Sequence, residues 1–270
     1  MINDIINYIG KEKLEQQALL CHRPSNAVYV YVKEDGSYKV VQNWQKVDFN
    51  SKHRGWDFYS CLISMNKPIS SKVIQSNNYY TFWCRNIAKL KVSEIESYFE
   101  KLELPNGLQW HKDWVIKNIY RLGEIYNNEL IKIFFPGTRE SYREQGFNYW
   151  LEKCISVPAK KNYKYDTPHG VPIGYSISAK KPFSTAREPY LVTNEDGLYI
   201  KFVYDIFKGC TKRGYDNLYI TPGGIYFSGT QKEPPDIKLN SSIYVVTKIN
   251  NKGEVEILDM EAIPTYEPYL

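Results

Sequence analysis

Ala27-Val-Tyr-Val-Tyr-Val-Lys-Glu-Asp-Gly-Ser-Tyr-Lys-Val-Val41 decides how the chain folds. Val28, Val30 and Val32 alternate with Tyr29 and Tyr31, the period of a strand whose side chains point to opposite faces. Glu34-Asp35-Gly36-Ser37 then supplies turn chemistry, because Gly36 can take a positive φ without the clash a Cβ would bring. Tyr38 to Val41 returns as the second strand. A hairpin set among helical patterns places the chain in the α+β class.

Working outward, Ile5, Ile6, Ile9 and Leu14 recur at helical spacing, so residues 1–20 are expected to open the chain as a short helical segment. Beyond the hairpin, an apolar stretch from Phe58 to Met65 and an extended one from Tyr79 to Cys84 are joined by a polar, basic loop. Ser93 and Glu96 have capping-box spacing and predict a helix over Glu94–Leu102. The middle third reads as helical. Trp114, Ile119, Leu122, Ile125, Tyr126 and Leu130 suit one apolar stripe, and Tyr142, Phe147, Trp150, Leu151 and Cys154 another; charges over 91–150 nearly balance, as in a scaffold. Pro158 to Pro172 is a basic connection containing Pro and Gly. Thr193 is placed to cap a helix from about Asn194 to Phe207 that Gly209 would stop. Leu218–Thr221 and Ile225–Ser228 flank Pro222-Gly223-Gly224 as a hairpin, and 242–249 with 254–259 form another. The expected architecture is α+β: a lobe over 1–90, a helical bridge over 91–157 and a second lobe over 158–270.

With 270 residues, 43% hydrophobic and 24% charged, the composition is that of a globular protein, which excludes disordered and collagen-like classes. Apolar runs such as Ile131–Phe135, broken by Lys132, fall far short of the roughly 18 residues a membrane span needs. The N-terminus lacks the basic, apolar and small-residue pattern of a secretory signal, so a cytoplasmic location is expected. Cys21, Cys61, Cys84, Cys154 and Cys210 stand singly and read as small buried hydrophobes rather than a disulfide framework or zinc site. His22, His53, His111 and His169 are widely separated, and nucleotide-loop and hydrolase-elbow motifs are missing. No metal, cofactor or catalytic group is expected. Glu195 with Asp196 and Glu254 with Glu256 are the carboxylate pairs an unrecognised hydrolase would use. The first pair opens a helix, where acids favour the dipole, and the second alternates along a strand, so both read as structural.

The net charge of +5 is mild, but its distribution is uneven. Lys52, Arg54, Lys67, Lys72, Arg85 and Lys89 meet a single acid, Asp57, within 52–89. Lys160, Lys161, Lys164, Lys180, Lys181 and Arg187 again meet a single acid, Asp166, within 158–187. Such clustering suits a surface that meets a polyanion, and it equally suits a solvated basic face. Twenty-four tyrosines suit base stacking or wet interfaces, and also serve as core and strand residues.

The chemistry concentrates in Ser64-Met-Asn-Lys-Pro-Ile69 and Ser76-Asn-Asn-Tyr-Tyr80. Lys67 and Lys72 can meet phosphates, the Asn77 and Asn78 amides can donate to groove acceptors, and Tyr79 can stack or bond a backbone. Asn-Asn also makes turns through side-chain to backbone bonds, and Pro68 marks a bend. Lys52, Arg54, Lys160, Lys161, Lys180, Lys181 and Arg187 are candidates for DNA or RNA backbone contact, which gives affinity without sequence preference.

Trp56-Asp-Phe-Tyr-Ser60, Met65-Asn-Lys-Pro-Ile69, Ser76-Asn-Asn-Tyr-Tyr-Thr-Phe82, Ser178-Ala-Lys-Lys-Pro-Phe183, Pro189-Tyr-Leu-Val192, Asn217-Leu-Tyr-Ile220 and the closing Glu254-Val-Glu-Ile-Leu-Asp259 with Ile263-Pro-Thr-Tyr266 carry a resemblance. Together they resemble the N-terminal region of the large subunit of type I-B CRISPR surveillance complexes (Cascade), over about 50–270. The resemblance implies a non-enzymatic subunit of antiviral defence at the 5′-handle end of the guide RNA. Such a subunit recognises the protospacer-adjacent motif in duplex DNA, helps begin strand separation and presents the complex to the helicase-nuclease. Its implied partners are guide RNA, double-stranded target DNA, the other subunits and that helicase-nuclease, with no membrane. Family members continue into a C-terminal helical bundle, so roles that need the bundle, such as holding the displaced strand, are not carried over. A protein-interaction scaffold without nucleic-acid readout is the alternative, with the basic segments meeting acidic protein surface.

Overall fold

The computed structural model describes residues 2–42, 51–60, 73–126, 129–153, 171–172, 191–192, 194–228, 242–251 and 255–263. The chain opens with α1 (Ile2–Ile9), α2 (Lys11–Cys21), β1 (Val28–Val32), β2 (Tyr38–Val41) and α3 (Ser51–Tyr59). There follow β3 (Thr81–Cys84), α4 (Val92–Lys101), α5 (Gln109–Ile125), β4 (Ile131–Phe134) and α6 (Arg139–Lys153). The remainder comprises β5 (Val171–Pro172), β6 (Leu191–Val192), α7 (Asn194–Thr211), β7 (Asn217–Thr221), β8 (Gly224–Ser228), β9 (Ser242–Ile249) and β10 (Val255–Ile263). The fold is α+β, as the sequence leads one to expect. The chain divides into two compact units, Arg23–Asn194 and Met1–His22 with Glu195–Leu270.

In the unit Arg23–Asn194 the sheet order is β2-β1-β4-β3. The hairpin forms as predicted, with Val32 opposite Tyr38 and Gly36 at φ 78°. The Trp114 indole N–H donates to the Gly36 carbonyl at 2.9 Å, fixing the turn to α5. β1 pairs parallel with β4, Val30 opposite Ile133, and β4 pairs antiparallel with β3. Alternation then sorts two faces. Val28, Val30, Val32, Phe82, Cys84, Ile131 and Ile133 form one core with α4 and α5, through Ile95, Phe99, Val115 and Ile119. Tyr29, Tyr31, Trp83 and Phe134 lie on the other, where Trp56 of α3 and Tyr142 of α6 stack 5.1 Å apart. The sheet is thus covered by α4–α5 on one face and by α3–α6 on the other.

Two sequence expectations change here. The middle third is not continuous helix: Ile131–Phe134 is a fully buried strand at the sheet centre, where both faces are covered and the apolar run need not alternate. Lys132, which breaks that run, is 3% exposed and pairs with Asp57 of α3 at 2.7 Å. α4 begins at Val92, with the Glu94 carboxylate accepting the Lys91 N–H at 2.9 Å, so Ser93 lies inside the helix rather than capping it.

The other unit has the antiparallel sheet β10-β9-β7-β8, with α1 packed on β7 and α2 on β8. Both predicted hairpins are present. Gln17 of α2 lies along the edge strand β8: its amide accepts the Ile225 N–H at 2.9 Å and donates to the Ile225 carbonyl at 3.2 Å. α7 continues through Gly209 and ends at Thr211, and the chain turns left-handed just beyond it at Gly214, φ 81°.

The division of the chain therefore differs from the expected 1–90, 91–157 and 158–270. α1 and α2 join the C-terminal sheet because their apolar faces cover β7 and β8. The helices of 91–157 belong with the first sheet, since α4 and α5 supply its core and α6 covers its far face. Among the described residues no helix is long and apolar enough to cross a membrane.

Candidate nucleic-acid interface

The first turn of α3 carries Lys52, His53 and Arg54, of which Lys52 is exposed. Its partner is the start of α6. Thr138 caps that helix, its hydroxyl accepting the Ser141 N–H at 3.0 Å, and Arg139 and Glu140 follow on the surface. Gly55 sets the approach of the two helices, because a Cβ there would fall 2.6 Å from Arg139 Cγ. The result is an open cleft of about 400 Å³ lined by Lys52, Gly137, Thr138, Arg139 and Glu140. Lys52 Nζ sits 4.8 Å from the Trp56 ring centre, a cation held over an aromatic face. Glu140 is the acid nearest Arg139, at 3.4 Å, and both are exposed, so solvent screens the pair. Lys52, Arg139 and the N-terminus of a 15-residue helix line one cleft, together with the Glu140 carboxylate.

The loop expected to read a groove proves to be internal. Asn77 and Asn78 are both fully buried. The Asn78 amide donates to the Tyr142 carbonyl at 2.9 Å, and its oxygen accepts the Tyr80 N–H at 3.0 Å, forming a local Asx-type turn. Tyr98 closes the turn from beneath: its hydroxyl donates to the Asn78 and Thr81 carbonyls at 2.9 and 3.0 Å and meets Ser76 at 2.7 Å. The Asn78 bonds satisfy backbone groups that water cannot reach, whereas the Asn77 amide is enclosed without a hydrogen-bond partner among the described residues, so neither amide is at the surface. The groove-reading assignment of Asn77 and Asn78 is therefore corrected to a structural one. Tyr79 is half-buried, and burial, then Tyr80 and Glu144, push its hydroxyl above the ordinary value.

Of the remaining candidates, Lys52 stands at the cleft and Arg54 is half-buried on the same turn. Lys67, Lys72, Lys160, Lys161, Lys180, Lys181 and Arg187 lie outside the described residues. Asp57, the one acid of the first basic segment, faces inward to Lys132 and does not dilute the surface charge. Arg139 is the residue that sequence reading missed, because near-balanced charge over 91–150 suggested only scaffold. Its signal was Gly137-Thr138 followed by Ser141, an N-cap pattern that marks a helix start beside a cation.

The carboxylate pairs are placed apart from any such cleft. Glu195 bridges to Lys11 at 2.7 Å on the surface, and that hydrogen bond raises the Lys11 pKa. Glu256 accepts the Asn250 amide at 3.0 Å, and Glu254 lies outside the described residues. Among the described residues no group of three or more His, Cys, Asp or Glu is arranged to hold a metal ion. No family model matches the chain, and neither a curated protein nor a solved structure matches it.

Proposed function

We propose that the chain is a non-catalytic subunit of a cytoplasmic CRISPR RNA-guided DNA surveillance complex. It contacts target DNA beside the protospacer-adjacent motif and the 5′-handle end of the guide RNA, and it helps recruit the helicase-nuclease. The observation that carries this reading is the cleft in which Lys52 and Arg139 meet the N-terminus of α6. A phosphate there would gain two charge-assisted contacts and the helix dipole, none of which depends on base identity. The motif resemblance over 50–270 supplies the assembly, and the first basic segment supplies the face. With Asn77 and Asn78 internal, motif readout falls to Lys67 and Lys72 of the same segment.

The test is duplex binding by the reconstituted complex across a library of flanking motifs. Lys52→Glu and Arg139→Glu, both exposed, should weaken every sequence alike and reduce the slope of log affinity against log salt by roughly one each. Lys67→Ala should relax motif preference instead. Affinity and slope unchanged by both charge reversals would remove the cleft from the interface.

A second reading, a protein-interaction scaffold, is favoured by β10. On this edge strand Ile257, Leu258 and Met260 are 45%, 59% and 40% exposed, a combination suited to meeting another protein. Under that reading duplex binding is weak and indifferent to motif.

A further inference from the structure

We propose that Cys21 and Cys210 are a thiol pair that a hydroperoxide oxidises to a disulfide, locking α2 against α7 in the unit that joins the two ends of the chain. The inference stands apart from the nucleic-acid reading, since neither residue lines the Lys52 cleft.

Separate contacts at the two ends set these helices side by side. Near their N-termini, Lys11 of α2 bridges to Glu195 of α7 at 2.7 Å, and its ammonium lies 5.3 Å from the Tyr199 ring centre. Near their C-termini, the Cys210 thiol donates a hydrogen bond to the Cys21 sulfur. Ten residues on from Lys11 is Cys21, and eleven on from Tyr199 is Cys210, about 15 and about 17 Å of helix, so the helices run parallel and the contacts agree. Burial points the same way. Leu14 and Ala18 are buried on α2, and Cys21 continues their face at i+3; Phe202, Val203 and Ile206 are buried on α7, and Cys210 continues theirs at i+4. Both residues are thiols rather than a disulfide. They stand at opposite ends of the chain, which is why spacing alone reads each as single.

The two sulfurs differ in access. Cys210 is fully buried, and the bond to Cys21 first and burial next push its thiol far above its ordinary value. Cys21 is half-buried, so a small oxidant reaches it first. In the first step the Cys21 sulfur attacks one oxygen of hydrogen peroxide and the O–O bond breaks; the leaving hydroxide takes the Cys21 proton as water, and Cys21 becomes a sulfenic acid. The Cys210 sulfur then attacks the Cys21 sulfur, and the hydroxyl leaves with the Cys210 proton as a second water as the S–S bond forms. The sulfurs lose two electrons and the peroxide gains them. The Arg213 guanidinium, anchored on the Gly209 carbonyl at 2.8 Å, stands 3.7 Å from the Cys210 sulfur and favours negative charge there as the proton departs. A dithiol reductant reverses the bond by exchange. The cross-link would hold α2, which packs on β8, to α7, and it would enclose the whole unit Arg23–Asn194 in its loop.

The test is oxidation of the full chain with hydrogen peroxide, trapping of the remaining thiols with N-ethylmaleimide, and peptide mapping by mass spectrometry. A linked pair of peptides carrying Cys21 and Cys210, lighter by two hydrogen atoms and separated again by dithiothreitol, is expected. Cys84, which is fully buried and whose thiol burial pushes up to about 12, should stay reduced as an internal control. In Cys210→Ala, which keeps that site apolar, Cys21 should stop at the sulfenic acid and be captured by dimedone; in Cys21→Ser, Cys210 should remain a thiol. Amide exchange across α2 should slow about tenfold in the oxidised chain and stay unchanged in peroxide-treated Cys21→Ser. Cys21 and Cys210 both alkylated after oxidation, or either one linked to a different cysteine, would overturn the proposal. A Cys21–Cys210 bond that left exchange across α2 unaltered would overturn the lock.

Discussion

Asn78 and His111 illustrate how a polar residue is claimed by the interior. The Asn78 side chain bonds three backbone groups, to Tyr142, Tyr59 and Tyr80, and its polar chemistry is fully used in holding a turn. His111 is fully buried, stacked 4.1 Å from Phe135, with its Nδ1–H donating to the Tyr79 carbonyl at 3.0 Å. Burial, opposed only by that bond, lowers its pKa from 6.5 to about 4. The neutral imidazole is thus the folded form. Above pH 6.5 both folded and unfolded chains leave it neutral and its contribution is complete; as pH falls toward 4 the unfolded chain takes a proton that the folded one refuses. Up to about 3 kcal/mol of stability should be lost across that window. Urea midpoints at pH 7 and pH 4.5 would measure it, and His111→Phe, which keeps the stack, should flatten this part of the profile. An unchanged profile in the variant would assign the acid sensitivity elsewhere.

At the scale of elements, the decisive event is the insertion of β4 between β1 and β3. A central strand covered on both faces reads in sequence as a short apolar run, and this one is interrupted by a lysine. Lys132 Nζ meets Asp57 at 2.7 Å, with the Trp83 ring centre 3.8 Å away and that of Tyr29 5.3 Å away, so the charge is enclosed by one carboxylate and two aromatic faces. Asp57 also contributes to raising the Tyr29 hydroxyl, after burial itself. The pair ties α3, and with it the Lys52 turn, to the centre of the sheet. Lys132→Met alone leaves a buried carboxylate and should cost about 3–5 kcal/mol. Lys132→Met with Asp57→Leu should recover about 2 kcal/mol or more of the summed losses, since apolar replacements of both partners remove the unpaired charge. A urea double-mutant cycle gives the coupling directly, and strict additivity would show that the two residues do not act as a pair.

At the scale of the molecule, the two units are built by different means. Arg23–Asn194 encloses a mixed sheet between helices, whereas the other unit joins the two ends of the chain, with α1 and α2 on an antiparallel sheet completed by residues beyond Glu195. Gln17 is the clearest tie in that second unit, since its amide stands in for a neighbouring strand at Ile225. Gln17→Ala should raise amide exchange at Ile225 roughly five-fold, the value of about one hydrogen bond, while leaving β1 and β4 protected as before. Mass-resolved hydrogen exchange would check both halves of that expectation. Equal deprotection of both sheets would mean that the two units open together.

The sequence by itself determined the α+β class, the β1–β2 hairpin and both C-terminal hairpins, because alternation and turn residues act over a few positions and need no distant partner. It also determined that positive charge gathers around Lys52. Only the tertiary structure decided that Ile131–Phe134 is a strand, that α1 and α2 belong with the far end of the chain, and which polar residues face water. Asn78 and Lys132 are chemically suited to a nucleic acid, yet packing gave the first a turn to hold and the second a buried carboxylate. Arg139 and Lys52 are far apart in sequence and meet because Gly55 lets α6 lie against α3. Local pattern fixes what a segment prefers to be; burial and long-range contact decide which of its groups remain available.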